Sequence, residues 1–208
     1  MTFLPHDRYC DEIAHQVGQL RAVVTSGADL TATVPTGPDW SLEQLVRHMG
    51  EALCWVELLV RIRAQEDIPE EQVPGAAGPE ARGDAAALDA WLAETGERVV
   101  ATLREAGPDT KVWSWAGVPN AGFWARRMAH EITVHRADAT LAVGLPYEVA
   151  PEIAADAIDE WARPRKRERA TVGPEAAGVS GRCRCRGGAC RRRPRRRRAR
   201  RARRRCRR

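Results

Sequence analysis

The segment Arg126-Arg-Met-Ala-His-Glu-Ile-Thr-Val-His-Arg-Ala-Asp138 concentrates side chains that can do chemistry. Glu131 and His135 are four apart, so on a helix they project within about 40° of each other, one turn apart. A carboxylate and an imidazole so placed can bind one divalent ion. His130 and His135 are five apart and point about 140° away from each other. That excludes the H-E-x-x-H zincin arrangement, whose two histidines are four apart. Asp138, seven beyond Glu131, lies about 20° from its direction. It can orient a ligand imidazole from behind, or pair with Arg127 or Arg136 on the same helix. His130 reads as a residue behind the ligands or as a structural histidine.

A third ligand has to come from another helix. His48 is the best placed, beside the apolar positions Leu45, Met49 and Ala52. Two imidazoles and one carboxylate leave coordination positions open, as catalytic zinc sites do. Zinc fits this set, and nickel, iron or cobalt use the same ligands. Spacing alone equally admits a plainer reading: a surface Glu–His ion pair, and a histidine packed in a core. His6 and His15 have nothing around them in sequence to support a role.

The elements that must position these residues are helical. Ile13, Val17, Leu20 and Val24 recur at helical spacing and predict a helix over about 6–24, stopped by Ser26-Gly27. Residues 31–38, rich in Thr, Pro and Gly, read as a connector. Ser41 is a good N-cap and Gln44 can return its bond, a capping box; Trp40 before it can staple onto Leu45. The helix this starts runs to about Arg63 with a wide apolar stripe and should be central. Residues 65–83 read as an exposed loop. A third helix spans about 84–106 and ends at Gly107-Pro108. A fourth runs from Pro119 or Asn120 to about Val143, and a short fifth covers about 151–162. Trp113, Trp115 and Trp124 either line a pocket or, by default, pack a core. No strand pattern competes, and no repeat is visible. The expected fold is all-α, an antiparallel four-helix bundle with an extra short helix, whose inward side chains can build a metal site.

Charge divides the chain in two. Of 34 Lys and Arg, 22 lie in residues 163–208, with only 2 of the 28 acidic residues; that segment carries +20, residues 1–162 carry −14, and the whole +6. The acidic part argues against nucleic acid as its own ligand. No apolar run approaches a membrane span, and the N-terminus lacks the order of a signal peptide, so a cytoplasmic location is expected. Cys10 and Cys54 are isolated and make no disulfide framework. Cys183, Cys185, Cys190 and Cys206 lack the C-x2-C pairing of a zinc site.

Two stretches taken in order carry a resemblance. Asp39-Trp40-Ser41-x3-Leu45-Val46-x-His48 is followed much later by Phe123-Trp124-x-Arg126-Arg127-Met128-Ala129-His130-Glu131-x2-Val134-His135-Arg136-x-Asp138-Ala139. Over about residues 5–162 the chain resembles the mycothiol-dependent maleylpyruvate isomerase family, one of the DinB-like four-helix metalloenzymes. The resemblance implies His48, Glu131 and His135 as metal ligands, a divalent metal, and mycothiol as a thiol cosubstrate. It also implies a small electrophilic substrate. A metal with an open position takes a thiol as thiolate. Addition of that thiol to a maleyl-type double bond, rotation and elimination would isomerise the substrate. A stable thioether would instead make the chain an S-transferase.

Family members commonly carry a second, C-terminal domain that helps to close the site. Here the resemblance stops near Asp159-Glu-Trp161, and residues 163–208 are an Arg-rich tail whose composition cannot build a packed core. It is expected to be disordered. Three origins compete: a frameshift in GC-rich coding sequence replacing the C-terminal domain, a genuine basic tail that binds nucleic acid, or a tail that folds back on the acidic part. The alternatives to the isomerase reading are therefore a non-catalytic metal-binding bundle or truncated remnant, and a nucleic-acid-associated protein acting through its tail.

Overall fold

The structure, a computed structural model, describes residues 3–162. The expectations placed on the Arg-rich segment 163–208, its four cysteines included, lie outside the described residues. In chain order the described elements are α1 (His6–Val24), β1 (Thr33–Val34), β2 (Gly37–Ser41), α2 (Leu42–Arg61), a 3-10 turn (Glu70–Gln72), α3 (Ala85–Ala106), α4 (Ala121–Ala142) and α5 (Pro151–Ala162). This is the all-α DinB-like bundle expected, with the short fifth helix. No helix among the described residues is long and apolar enough to cross a membrane.

The helix ends follow local chemistry. Ser41 Oγ accepts from the Gln44 amide, and the Gln44 side chain accepts from the Ser41 amide at 2.8 Å, so both halves of the capping box form. Asp84 and Asn120 cap α3 and α4 in the same way, each accepting from the amide three residues on. Gly107 ends α3 at φ 70°, a conformation that favours glycine.

α1 and α2 each pack against both α3 and α4. Cross-helix contacts set the directions. Arg21 late in α1 bonds Asp89 early in α3, so that pair runs antiparallel. Trp55 on α2 meets Trp124 near the start of α4, and His48 meets His135, so α2 and α4 also run antiparallel. Tyr9 and Gln16 of α1 reach successively later parts of α4, at His130 and Arg136, so α1 and α4 run parallel. α2 and α3 do too, with Cys54 opposite Thr95 and Glu57 opposite Thr102. Parallel neighbours need a connection long enough to return along the bundle, and residues 62–84 supply it.

That connection is exposed over most of its length, as expected, but it is anchored at a few points. Val73 and Ala76 are buried against Cys54, with Trp55, Leu58 and Trp91 around them. Arg47, itself buried, donates to the carbonyls of Pro79 and Ala81, both at 2.9 Å, and Trp91 Nε1 donates to Gly75 O at 3.1 Å. Two small apolar residues and these backbone contacts tie down a segment whose polar composition hid them.

The connector at 31–38 holds strand pairing where no strand pattern was expected. β1 and β2 form an antiparallel hairpin pairing Thr33 with Ser41 and Val34 with Gly37. The amides of Leu42 and Glu43 donate to the carbonyls of Ala32 and Leu30, at 2.8 and 2.9 Å. Amides that a helix start would leave unpartnered are thus satisfied by the chain before the hairpin. Trp113 and Trp124 pack with Trp55 as a ring cluster, so the core reading holds for both; Trp124 is 1% exposed and its Nε1 donates to Trp113 O.

Candidate metal centre

α4 presents two faces with different neighbours. On the face toward α2, Glu131 Oε1 lies 3.3 Å from His135 Nε2. His48 reaches the same point from α2, its ring 5.3 Å from that of His135 and nearly perpendicular to it. One donor atom from each of His48, Glu131 and His135 falls within 4.8 Å of the other two, and all three residues are half-buried. The structure thus brings together the three residues read as ligands.

Each imidazole has support. His135 Nδ1 lies 3.0 Å from Asp138 Oδ2. A carboxylate only accepts, so this bond places a proton on Nδ1 and leaves Nε2 as the ring nitrogen turned toward Glu131. Asp138 therefore orients the imidazole; its other oxygen accepts from the Thr36 hydroxyl at 2.7 Å. His48 is lowered from the ordinary imidazole pKa by burial and then by the neighbouring His135, which favours the neutral, ligating form. The edge of Trp40 meets its ring at 5.1 Å. Trp40 is 40% exposed, and its ring packs beside His48. The Arg127 guanidinium contacts the second oxygen of Glu131 and also bonds Glu160 at 3.0 Å.

The opposite face of α4 meets α1 and α5. His130, 2% exposed, lies between two carboxylates of α5: Nδ1 is 2.9 Å from Glu160 and Nε2 is 3.0 Å from Asp156. Arg126 bonds Asp156 and Asp159, and the Tyr9 hydroxyl donates to Asp156 at 2.7 Å. Burial, with that bond to a carboxylate, pushes Tyr9 up to about 12. Of the two histidines in the segment, only His135 points at His48; His130 connects to Glu131 by way of Glu160 and Arg127. Of the weaker sequence candidates, His6 bonds Leu103 O, and His15 lines a groove of about 620 Å³ on α1 that none of the three clustered residues touches.

The donor set fits a divalent cation. Two imidazoles and a carboxylate suit zinc and its neighbours in the first transition row. The 3.3 Å between Glu131 and His135 matches the edge of about 3.3 Å of a tetrahedron with bonds of about 2.0–2.1 Å. Sequence reasoning missed Thr36, the pairing of Arg127 with Glu131 and the contact of Trp40 with His48. The i,i+4 spacing of Arg127 and Glu131 was a local signal for the second, whereas the Thr36 contact depends on which elements pack together, for which a single sequence carries no local signal.

Fold and cluster together define a helical bundle with a two-histidine, one-carboxylate centre shared between α2 and α4. The chain matches the family model for the mycothiol maleylpyruvate isomerase N-terminal domain over residues 10–140, and it belongs to that family. No curated protein and no solved structure matches it.

Proposed function

We propose that this chain binds one divalent cation, zinc most readily, through His48, Glu131 and His135, and uses mycothiol in chemistry of the maleylpyruvate isomerase type. The convergence of the three donors from two helices carries the reading, and the family supplies the thiol and the class of substrate. A cation bound with an open position would supply a Lewis acid that holds a thiol as thiolate at neutral pH. The chain's own residues do the rest. Asp138 keeps the His135 lone pair on Nε2, Trp40 covers His48, and Arg127 sets a fixed positive charge beside Glu131. Isomerisation returns the thiol, whereas transfer leaves it on the product.

Elemental analysis of the purified protein tests the metal. About one equivalent in wild type, lost in His48→Ala and in His135→Ala, is the expected result. Thiol-dependent turnover of a maleyl-type substrate tests the chemistry. The matched family model is an N-terminal domain, so the match speaks to the bundle and its donors before it speaks to turnover. A second reading is a bundle that binds metal without turnover. Metal retained with no turnover at any thiol concentration would select it.

A further inference from the structure

Two imidazoles on two different helices must be held at a fixed mutual angle, and one short element touches the support of both. We propose that the β1–β2 hairpin is the positioning device of the metal centre, with Thr36 acting through Asp138 on His135 and Trp40 acting on His48. The inference rests on the metal-centre reading above.

The argument begins at Asp138. The torsion that sets a carboxylate plane is broad and roughly two-fold, so a single hydrogen bond leaves the plane loose. Here the two oxygens are divided: Oδ2 receives His135 Nδ1 at 3.0 Å and Oδ1 receives the Thr36 hydroxyl at 2.7 Å. The second bond fixes the plane, and with it the direction in which His135 Nε2 faces Glu131 and His48. Thr36 can fix it because its own backbone is held. It lies in the two-residue link between the paired residues Val34 and Gly37, directly after Pro35 and two positions before Pro38. The proline rings lock their own backbone angles. Val34 is 2% exposed and anchors the hairpin in the core, and the Leu42 and Glu43 amides bind the chain just before it.

The second contact comes from the other strand. The Trp40 ring meets the His48 ring edge-on at 5.1 Å, and His48 in turn meets His135 at 5.3 Å and 89°. An aromatic residue packed on one side of a half-buried imidazole restricts the rotamers open to it. Both imidazoles are therefore set by the same nine-residue piece of chain, although they belong to helices far apart in sequence. Thr36 and Trp40 are positioning residues; neither supplies a ligand atom.

The test uses the full chain freed of metal and titrated with Co²⁺ against a chromophoric chelator, with the visible ligand-field spectrum recorded at saturation. Thr36→Val keeps the shape and removes the donor; Thr36→Ser keeps the donor. Thr36→Val should bind Co²⁺ about 10-fold more weakly, at the lower end for loss of a partner behind a metal ligand, and should shift the ligand-field bands. Thr36→Ser should lie within about twofold of wild type, and the metal-free melting temperatures of all three should agree. Trp40→Leu should also weaken Co²⁺ binding, with Trp40→Phe recovering most of it. Wild-type affinity and an unchanged spectrum in Thr36→Val overturn the hairpin inference while leaving the metal centre standing. A fall in affinity matched by an equal loss of metal-free stability makes Thr36 merely structural and overturns it as well. No Co²⁺ uptake by wild type overturns the metal-centre reading, and this inference with it.

Discussion

His130 and His135 stand five residues apart on one helix and have opposite surroundings. Both ring nitrogens of His130 face carboxylates, Glu160 and Asp156, in an almost dry contact between α4 and α5. His135 has one nitrogen tied to Asp138, while the other faces Glu131 and the ring of His48. The lesson is about neighbours. Each histidine has a carboxylate near both ring nitrogens, but the carboxylates around His130 are bonded by Arg126, Tyr9 and Arg127 and no second imidazole stands beside them. At His135 the imidazole of His48 stands on the same side as Glu131 and adds a donor that a cation can share. The first joins helices, and the second completes a site.

The sharpest way to break this contrast is to remove the imidazoles of the proposed metal site. His48→Ala and His135→Ala should each retain less than about a tenth of the wild-type metal, since a three-ligand site has none to spare. Their metal-free melting temperatures should change little. Elemental analysis and calorimetry read the two quantities. His130→Ala should do the reverse. It removes one partner from a buried charged contact and should cost about 3 kcal/mol in urea unfolding, with metal affinity within about twofold of wild type. Equal metal loss in all three variants would erase the distinction between the two faces of α4.

Asp138→Asn sharpens it further. Metal affinity should fall about 10- to 100-fold, or about 1.4–2.8 kcal/mol, with unfolding nearly unchanged. Acid should act on the other face. Burial pushes both Asp156 and Glu160 up. Bonds from Arg126 and Tyr9 in the first case, and from His130 with the charge of Arg127 in the second, leave both below the ordinary carboxylate values. A lowered folded-state pKa stabilises the fold at pH above the unfolded value and loses that contribution as pH falls through the folded one. Wild-type melting temperature should therefore drop below about pH 4. The doubly substituted Asp156→Asn, Glu160→Gln protein should start lower at neutral pH and fall less. The smallest effect is Tyr9→Phe, about 1 kcal/mol for a hydroxyl that donates to Asp156 and accepts from the Leu4 amide, read by the same unfolding curves.

Much of this was legible from spacing because helical periodicity and caps are local. Ser41 and Gln44 announce the start of α2, and the 3.6-residue repeat separates His130 from Glu131 and His135 before any packing is known. His48 was legible as a half-buried polar residue beside an apolar stripe. What stayed hidden is non-local. The hairpin has a two-residue first strand, two prolines and an exposed second strand, so it lacks the alternation that marks a strand. Val73 and Ala76 are too few to show through the polar segment around them. The partners of His130 lie 26 and 30 positions further on, and Thr36 stands 102 positions before Asp138. Nothing in a helical repeat says which acidic residue of another element will come to rest beside a given side chain.

The separation of the donors along the chain has a thermodynamic consequence. His48 and Glu131 are 83 positions apart and meet only once α2 and α4 have docked. A cation held by both would act as a removable cross-link between distant parts of the polypeptide. It would favour the native state over the unfolded one by an amount that grows with the logarithm of free cation concentration. The melting temperature would then report metal availability even in a chain that turns nothing over.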